Sequence, residues 1–505
     1  MKKTSFVNAC SVLLFTLGGL NSAMGKQQDW GEGTPNFSAA QSLKNATGQY
    51  DHWQSIGRVE IEGGMTCSGT LIDTRHKPDG LDDPAYVLTA GHCSHLNPDT
   101  VLENEVAKGH VSFNYFQDTA EKQKSFPITT INWSTIRGQD VSIIQLDQTL
   151  GQLIDQGIVP LKLATRSLSQ GSDILIVGSP VGSHVQRMAC PQEHSAGVIE
   201  SMWAWQDQIS NRCLDVVSGI SGSPVLDRYT NEVVAVVGTT TRGSGHSRCS
   251  SGAPCEVING AISKATDTNY ATQTIGIQEC FTAGKFNRKN GVCSLGPAFT
   301  FDSSLPEQNH IKLERDDAGA VVPWQWTELF SIDQPYYRYK YTRTLADCRT
   351  LSGYSDPITS IEGRKNELSQ KVESGAGMYL MCIMGQNDKI SVPGQWDARN
   401  ARVYWRWMME GPNKLAPIYT ITQMDEVTYE IRVFPVSPDL NAYQYKYKAG
   451  PTNQTNCLDD AEYRPVQGSI GVFEVSVESG QVVVCLKTND LAGNPSPVAD
   501  FKLPE

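Results

Sequence analysis

The chain has 505 residues, too many for one ordinary domain and apolar enough for real cores. Its net charge of −12 is spread without a basic stripe, which argues against nucleic acid as a main partner. The 13 cysteines form no closely spaced set of the C-x-x-C kind, so disulfides are expected rather than a zinc site, and no metal or cofactor is called for.

Residues 1–25 read as a signal peptide. Lys2 and Lys3 form the charged start, the run from Val12 to Leu20 is apolar, and Ala23 and Gly25 are the small residues a signal peptidase reads. Cys10 precedes most of that run, so it is badly placed for lipid attachment. No later stretch is apolar for long enough to span a bilayer. The expectation is a soluble, monomeric chain secreted to the periplasm or the medium, where disulfides persist. Removing Cys10 from the count leaves twelve cysteines, and their spacing suggests local pairs: Cys67–Cys93, Cys190–Cys213, Cys249–Cys255, Cys280–Cys293, Cys348–Cys382 and Cys457–Cys485. Other connectivities fit the same sequence.

Residues 26–50 are polar, rich in Gly, Ser and Asn, and without periodicity; they read as a leader or pro-segment. From Ser55 onward, short runs rich in Val, Ile and Thr recur between Gly, Asp, Asn and Pro. Examples are Gly57–Ile61, Ser68–Ile72, Tyr86–Thr89, Val141–Leu146, Ile174–Val177 and Val233–Val237. Runs of this length with turn punctuation are strands, so residues 51–275 predict a β-barrel or sandwich pair.

Three motifs in this region carry chemistry. Leu88-Thr89-Ala90-Gly91-His92-Cys93 places a histidine at a strand end, where the Cys67–Cys93 bridge would pin it. Imidazole is the usual general base for a hydroxyl because it titrates near neutrality. About fifty residues on, Asp140 heads the aliphatic strand Val141–Leu146, a setting that suits a carboxylate accepting from the imidazole. The turn Ser218-Gly219-Ile220-Ser221-Gly222-Ser223-Pro224 can present a hydroxyl and aim backbone N–H groups at the same point. His76, His95, His110, His184 and His194 lie in loops or polar stretches and are poor candidates for the base; Asp147 reads as a turn residue.

In this order and at these separations, the motifs resemble those of the chymotrypsin/trypsin-like serine proteases, in particular a bacterial secreted branch. The resemblance covers roughly residues 50–270. It implies two six-stranded β-barrels with the site between them, and hydrolysis of peptide bonds in proteins or peptides through an acyl-enzyme. Ser221 would be the nucleophile, His92 the base and Asp140 its orienting acid, with the N–H groups of Gly219 and Ser221 as oxyanion hole. Ser223 stands where many relatives have glycine, as in glutamyl-endopeptidase-like members. Ile220 stands where animal-type members carry an acid that pairs with a freed N-terminus, so that activation switch is not expected here. Asp215, six residues before Ser221, is where trypsin-type members hold the acid that selects Arg or Lys. The other pocket wall is expected at Gly238, Thr239 and Thr240, and threonines there argue against glutamate specificity.

Residues 276–320, with the Cys280–Cys293 loop and the charged run Glu314–Asp317, read as a disulfide-stapled linker. Beyond them lies an internal repeat. Tyr337-Arg338-Tyr339-Lys340-Tyr341 recurs as Tyr443-Gln444-Tyr445-Lys446-Tyr447, each followed by a cysteine pair and an Asn-Asp turn. Residues 321–410 and 411–505 resemble immunoglobulin-like β-sandwich modules. The whole is expected to be all-β. Tyr-x-Tyr-x-Tyr sets three rings on one strand face, either as core or as a ligand platform. The modules would act as docking or spacing elements toward substrate, a cell surface or an extracellular ligand. The rival reading is an inactive protease-fold adhesin or binding protein that uses those modules.

Overall fold

The computed structural model describes residues 27–503 except 76–79, 245–248, 264, 304–308, 373–374, 435–443 and 467–470. The signal-peptide reading, Cys10, His76 and Tyr443 therefore lie outside the described residues. The chain is almost entirely β, and among the described residues the one α-helix is Leu150–Asp155, started by a capping box between Thr149 and Gln152. No helix there is long and apolar enough to cross a membrane.

Two barrels come first. Strands β1 (Ile56–Ile61), β2 (Thr66–Leu71), β3 (Pro84–Thr89), β4 (Gly109–Phe113), β5 (Lys124–Thr135) and β6 (Val141–Thr149) pair antiparallel in the cycle β1-β2-β3-β6-β5-β4 and back to β1. Strands β7 (Asp173–Gly178), β8 (Gln186–Glu200), β9 (Trp203–Asn211), β10 (Pro224–Asp227), β11 (Val233–Thr240) and β12 (Asn269–Gln273) close likewise as β7-β8-β9-β12-β11-β10. Closure removes free sheet edges and leaves each strand a buried inner face. Barrel one fills with residues such as Val59, Val87, Val111, Phe113 and Ile144; barrel two fills with Ile174, Ile176, Ile220, Val225 and Ala271. A further cluster around Trp53, Trp133 and Val177 joins the two barrels.

Residues 27–50, read from the sequence as a leader or pro-segment, pack as an arm against the fold. Leu43 is buried in the cluster between the barrels, and Phe37 and Leu43 donate backbone hydrogen bonds to Ala189 and Val185. Asp29 accepts from Arg228 Nε and Nη2 at 2.6 and 2.9 Å. That guanidinium, against the opposing effect of burial, holds the Asp29 carboxyl down at about 2 from an ordinary 3.8. Because the folded value is the lower one, this contact stabilises docking fully above about pH 4 and is lost as pH falls through about 2. An acid-active protease is expected to begin cutting within residues 27–40 as pH drops through that window. Asp29→Asn should be cut at the higher pH as well; an arm cut identically in both proteins would refute the tie.

The expected linker is also packed down. Phe281 lies edge-on to Tyr86, Tyr86 Oη accepts from Phe286 N at 3.2 Å, and Arg288 pairs with Glu103 at 3.1 Å. These contacts strap the Cys280–Cys293 loop to barrel one. Phe301–Ser303 and His310–Leu313 are already strands of the next unit, and Glu314–Asp317 is exposed.

Two sheet pairs follow. In the first, Phe301–Ser303, Trp324–Ile332 and Asn366–Val372 face a five-stranded sheet centred on Gly377–Gln386 and Arg402–Glu410. In the second, Ile418–Gln423, Thr428–Phe434 and Val472–Ser476 face a four-stranded sheet containing Lys446–Pro451 and Val482–Lys487. The repeat is visible in side chains. Lys340 Nζ donates to the carbonyls of Asp347, Thr350 and Ser352, and Lys448 Nζ to those of Asn456 and Asp459. Tyr354 and Tyr463 each donate to the carbonyl of the cysteine six residues before, Cys348 and Cys457. Tyrosines of the stripe pack on the cores: Tyr337 on Phe330, Tyr341 on Trp326, and Tyr447 stacked on Phe473.

The first of these units packs against the barrels. Its core is continuous with Ile199, Ala204, Cys255 and Val257 of the barrel region. Arg402 pairs with Asp99 at 2.7 Å, Trp405 Nε1 donates to Ser201 O, and Gly260 N donates to Arg343 O.

Candidate active site

Strand β3 delivers the chain to a single 3-10 turn, Gly91–Cys93, at the rim of barrel one. The turn is pinned twice. Cys93 is bonded to Cys67 on β2, and Gly91 sits so close to the chain that a Cβ there would lie 1.8 Å from Thr135 O. The other five suggested cysteine pairs are also joined in the structure. Between these anchors, His92 points toward the head of β6. Asp140 is fully buried there and accepts twice from His92: from the backbone N–H at Oδ1 (2.9 Å) and from ring Nδ1 at Oδ2 (2.8 Å). A carboxylate so placed selects the tautomer with its proton on Nδ1 and leaves Nε2 able to accept. Asp140 N donates to Thr272 Oγ1 at 3.1 Å. Gly238 lies behind the carboxylate, and a Cβ there would come within 2.9 Å of Oδ2.

Opposing effects act on the imidazole. Burial pushes His92 down, but the charge and hydrogen bond of Asp140, with a smaller contribution from Glu200, outweigh it and hold His92 above its ordinary 6.5.

Ser218–Pro224 forms the facing loop from barrel two. Gly219 and Gly222 adopt φ of +91° and +82°, which side chains rarely accept, and a Cβ on Gly222 would meet Ser68 O at 2.1 Å. Ile220 is fully buried in the barrel core. Ser68 holds the loop from barrel one: its Oγ donates to Gly219 O at 2.9 Å and its N–H to Ser221 O at 2.8 Å. An apolar anchor and Ser68 thus hold the position where an acid would otherwise pair with a freed N-terminus. The N–H groups of Gly219 and Ser221 find no acceptor among the described residues, whereas those of Ile220 and Gly222 are bonded to Val217 O and Val237 O. Two unpaired donors beside a hydroxyl can receive a developing oxyanion.

His92 and Ser221 share a cleft of about 420 Å³ between the barrels. Ser221 Oγ donates to Gly238 O at 3.4 Å and makes no hydrogen bond to His92 in this structure. Gly238, Thr239 and Thr240 line the cleft as expected from the chain order. Asp215 does not. It is exposed at φ +61°, and its carboxylate accepts from Ala40 N at 2.7 Å. The arm captures this acid, so it cannot form the base of a pocket. Of the lesser histidines described, His110 pairs with Glu60, His194 with Glu256, and His184 lies against Tyr115; none lines the cleft, nor does His95.

Sequence reasoning missed Met65, Leu96, Glu200, Trp203 and Trp205, which form much of the cleft wall. The available signal was the aromatic pair Trp203-x-Trp205; nothing local marked Glu200.

Residues 67–236 match the model of the trypsin-like peptidase domain family. No curated protein matches the chain. Similar solved structures include the active form of the Rv3671c protease from M. tuberculosis, 17% identical over 48% of this chain and 86% of that one, with a TM-score of 0.29. The protease Anisep from Arthrobacter nicotinovorans is 14% identical over 46% of this chain and 95% of its own, with a TM-score of 0.31. Human heparin binding protein is 12% identical over 48% and 92%, with a TM-score of 0.29.

Proposed function

We propose that this chain, which carries a trypsin-like peptidase domain, is an exported serine endopeptidase that cleaves peptide bonds through an acyl-enzyme. The observation that carries the proposal is the buried Asp140–His92 pair at 2.8 Å in the cleft that also holds Ser221. In this reading Ser221 Oγ swings from Gly238 O toward His92 Nε2 and attacks the scissile carbonyl carbon. His92 takes the hydroxyl proton, Asp140 stabilises the imidazolium, and the N–H groups of Gly219 and Ser221 receive the oxyanion. His92 then gives the proton to the leaving amine. Water, activated by the same nitrogen, attacks the ester and frees Ser221.

A fluorophosphonate probe tests this directly. The purified protein is expected to be labelled at one serine and Ser221→Ala not at all. Labelling that persists in the variant, or is absent from the wild type, rejects the proposal. The second outcome would favour the binding-protein alternative.

A further inference from the structure

The end of β8 brings one more acid into the cleft. Glu200 is 4% exposed and lines the same wall as His92 and Ser221. Its Oε1 accepts from Gly252 N at 2.7 Å, which ties it to the loop closed by Cys249–Cys255. Its Oε2, shielded from solvent, has no partner of good hydrogen-bond geometry within 3.5 Å among the described residues, although the Thr239 hydroxyl acts on the carboxylate. Asp140 is already engaged by His92, so Glu200 is the carboxylate in the cleft wall with unspent accepting capacity. Around it stand Trp203, Trp205, Leu96 and Met65, apolar surfaces suited to an alkyl stem or a cation over a ring. The cleft's own cation, Arg242, lies 4.0 Å from Asp267.

We propose that Glu200 is a specificity-determining residue that receives the ammonium or guanidinium of a lysine or arginine near the scissile bond. A buried carboxylate is costly to leave unpaired, and a long cationic side chain supplies both the missing charge and apolar cover. Burial raises the Glu200 carboxyl, while the Thr239 hydroxyl, Gly252 N–H and His92 favour its ionised form; a bound cation acts in the same direction. The inference rests on the peptidase reading and replaces Asp215 as the source of a basic preference.

The test is a peptide-library digest with the wild type and with Glu200→Gln, which keeps an acceptor for Gly252 N–H and removes the charge. The wild type is expected to show lysine and arginine enriched at one position near the cleaved bond. In Glu200→Gln, kcat/KM for such a peptide relative to its glutamine counterpart is expected to fall about 100-fold. Glu200→Lys should turn the preference at that position toward acidic side chains. A wild type labelled by fluorophosphonate but without basic enrichment overturns the Glu200 inference alone, whether or not the variants fold. A folded Glu200→Gln that keeps the wild-type ratio overturns it too. A wild type that is never labelled overturns the peptidase reading instead.

Discussion

Replacing Asp140 by asparagine is expected to lower kcat by about 10⁴-fold while leaving the protein folded. The carboxylate accepts from both the His92 backbone and Nδ1, at 2.9 and 2.8 Å, in a site without solvent access. An asparagine fits the same space, but it can turn its amide toward Nδ1. The ring then carries its proton on Nε2, the nitrogen that must accept from Ser221. The pH profile separates this effect from general damage. In the wild type the imidazole is held above 6.5, so activity should rise with pH through a midpoint above that value. Stability runs the other way. The pair's contribution is complete below about 6.5 and is lost as pH rises through the folded value. In Asp140→Asn, burial is the largest effect left, so the residual activity should show a midpoint below the wild-type one. An unchanged midpoint would mean that Asp140 does not govern the charge on His92.

The second large effect is expected far from the cleft in sequence. Asp140 is preceded by Arg137-Gly138-Gln139, and this stretch is clamped by the first C-terminal unit. Asn400 is fully buried, accepts from Gln139 Nε2 at 3.2 Å and donates to the carbonyls of Gly296 and Pro297. Gly138 lies so close to Arg399 that a Cβ would sit 1.9 Å from its carbonyl oxygen. Arg137 donates to Phe299 O and lies 4.4 Å from the centre of that ring. Asn400→Leu strands three partners, two of them in buried hydrogen bonds, and should cost about 3 kcal/mol of stability. By loosening the chain at Asp140 it should also lower kcat about tenfold with little change in KM. A chain ending at Pro297 would expose Ile199, Ala204 and Val257, and is expected to be insoluble or unlabelled by fluorophosphonate. A soluble, fully active truncation would show that the unit is dispensable after all.

His92, Asp140 and Ser221 were legible as candidates because each sits where local sequence already constrains it: at a strand end beside a cysteine, at the head of an aliphatic strand, and in a glycine-flanked turn. Glu200 was not legible, since nothing local distinguishes a strand-end glutamate facing solvent from one facing a cleft. Asp215 failed for the complementary reason. Its distance from Ser221 along the chain was right, but the arm that takes up its carboxylate comes from 175 residues away.

The sequence by itself determined the strand-rich character, the barrel region, the repeat and the order of the site motifs, all of which follow from short-range periodicity and turn chemistry. Tertiary structure alone decided which groups meet: the arm on barrel two, the strap on barrel one, the acid in the cleft and the unit bracing Asp140. These contacts join residues from about fifty to more than two hundred positions apart through burial and hydrogen-bond satisfaction, and neither leaves a periodic trace in the chain.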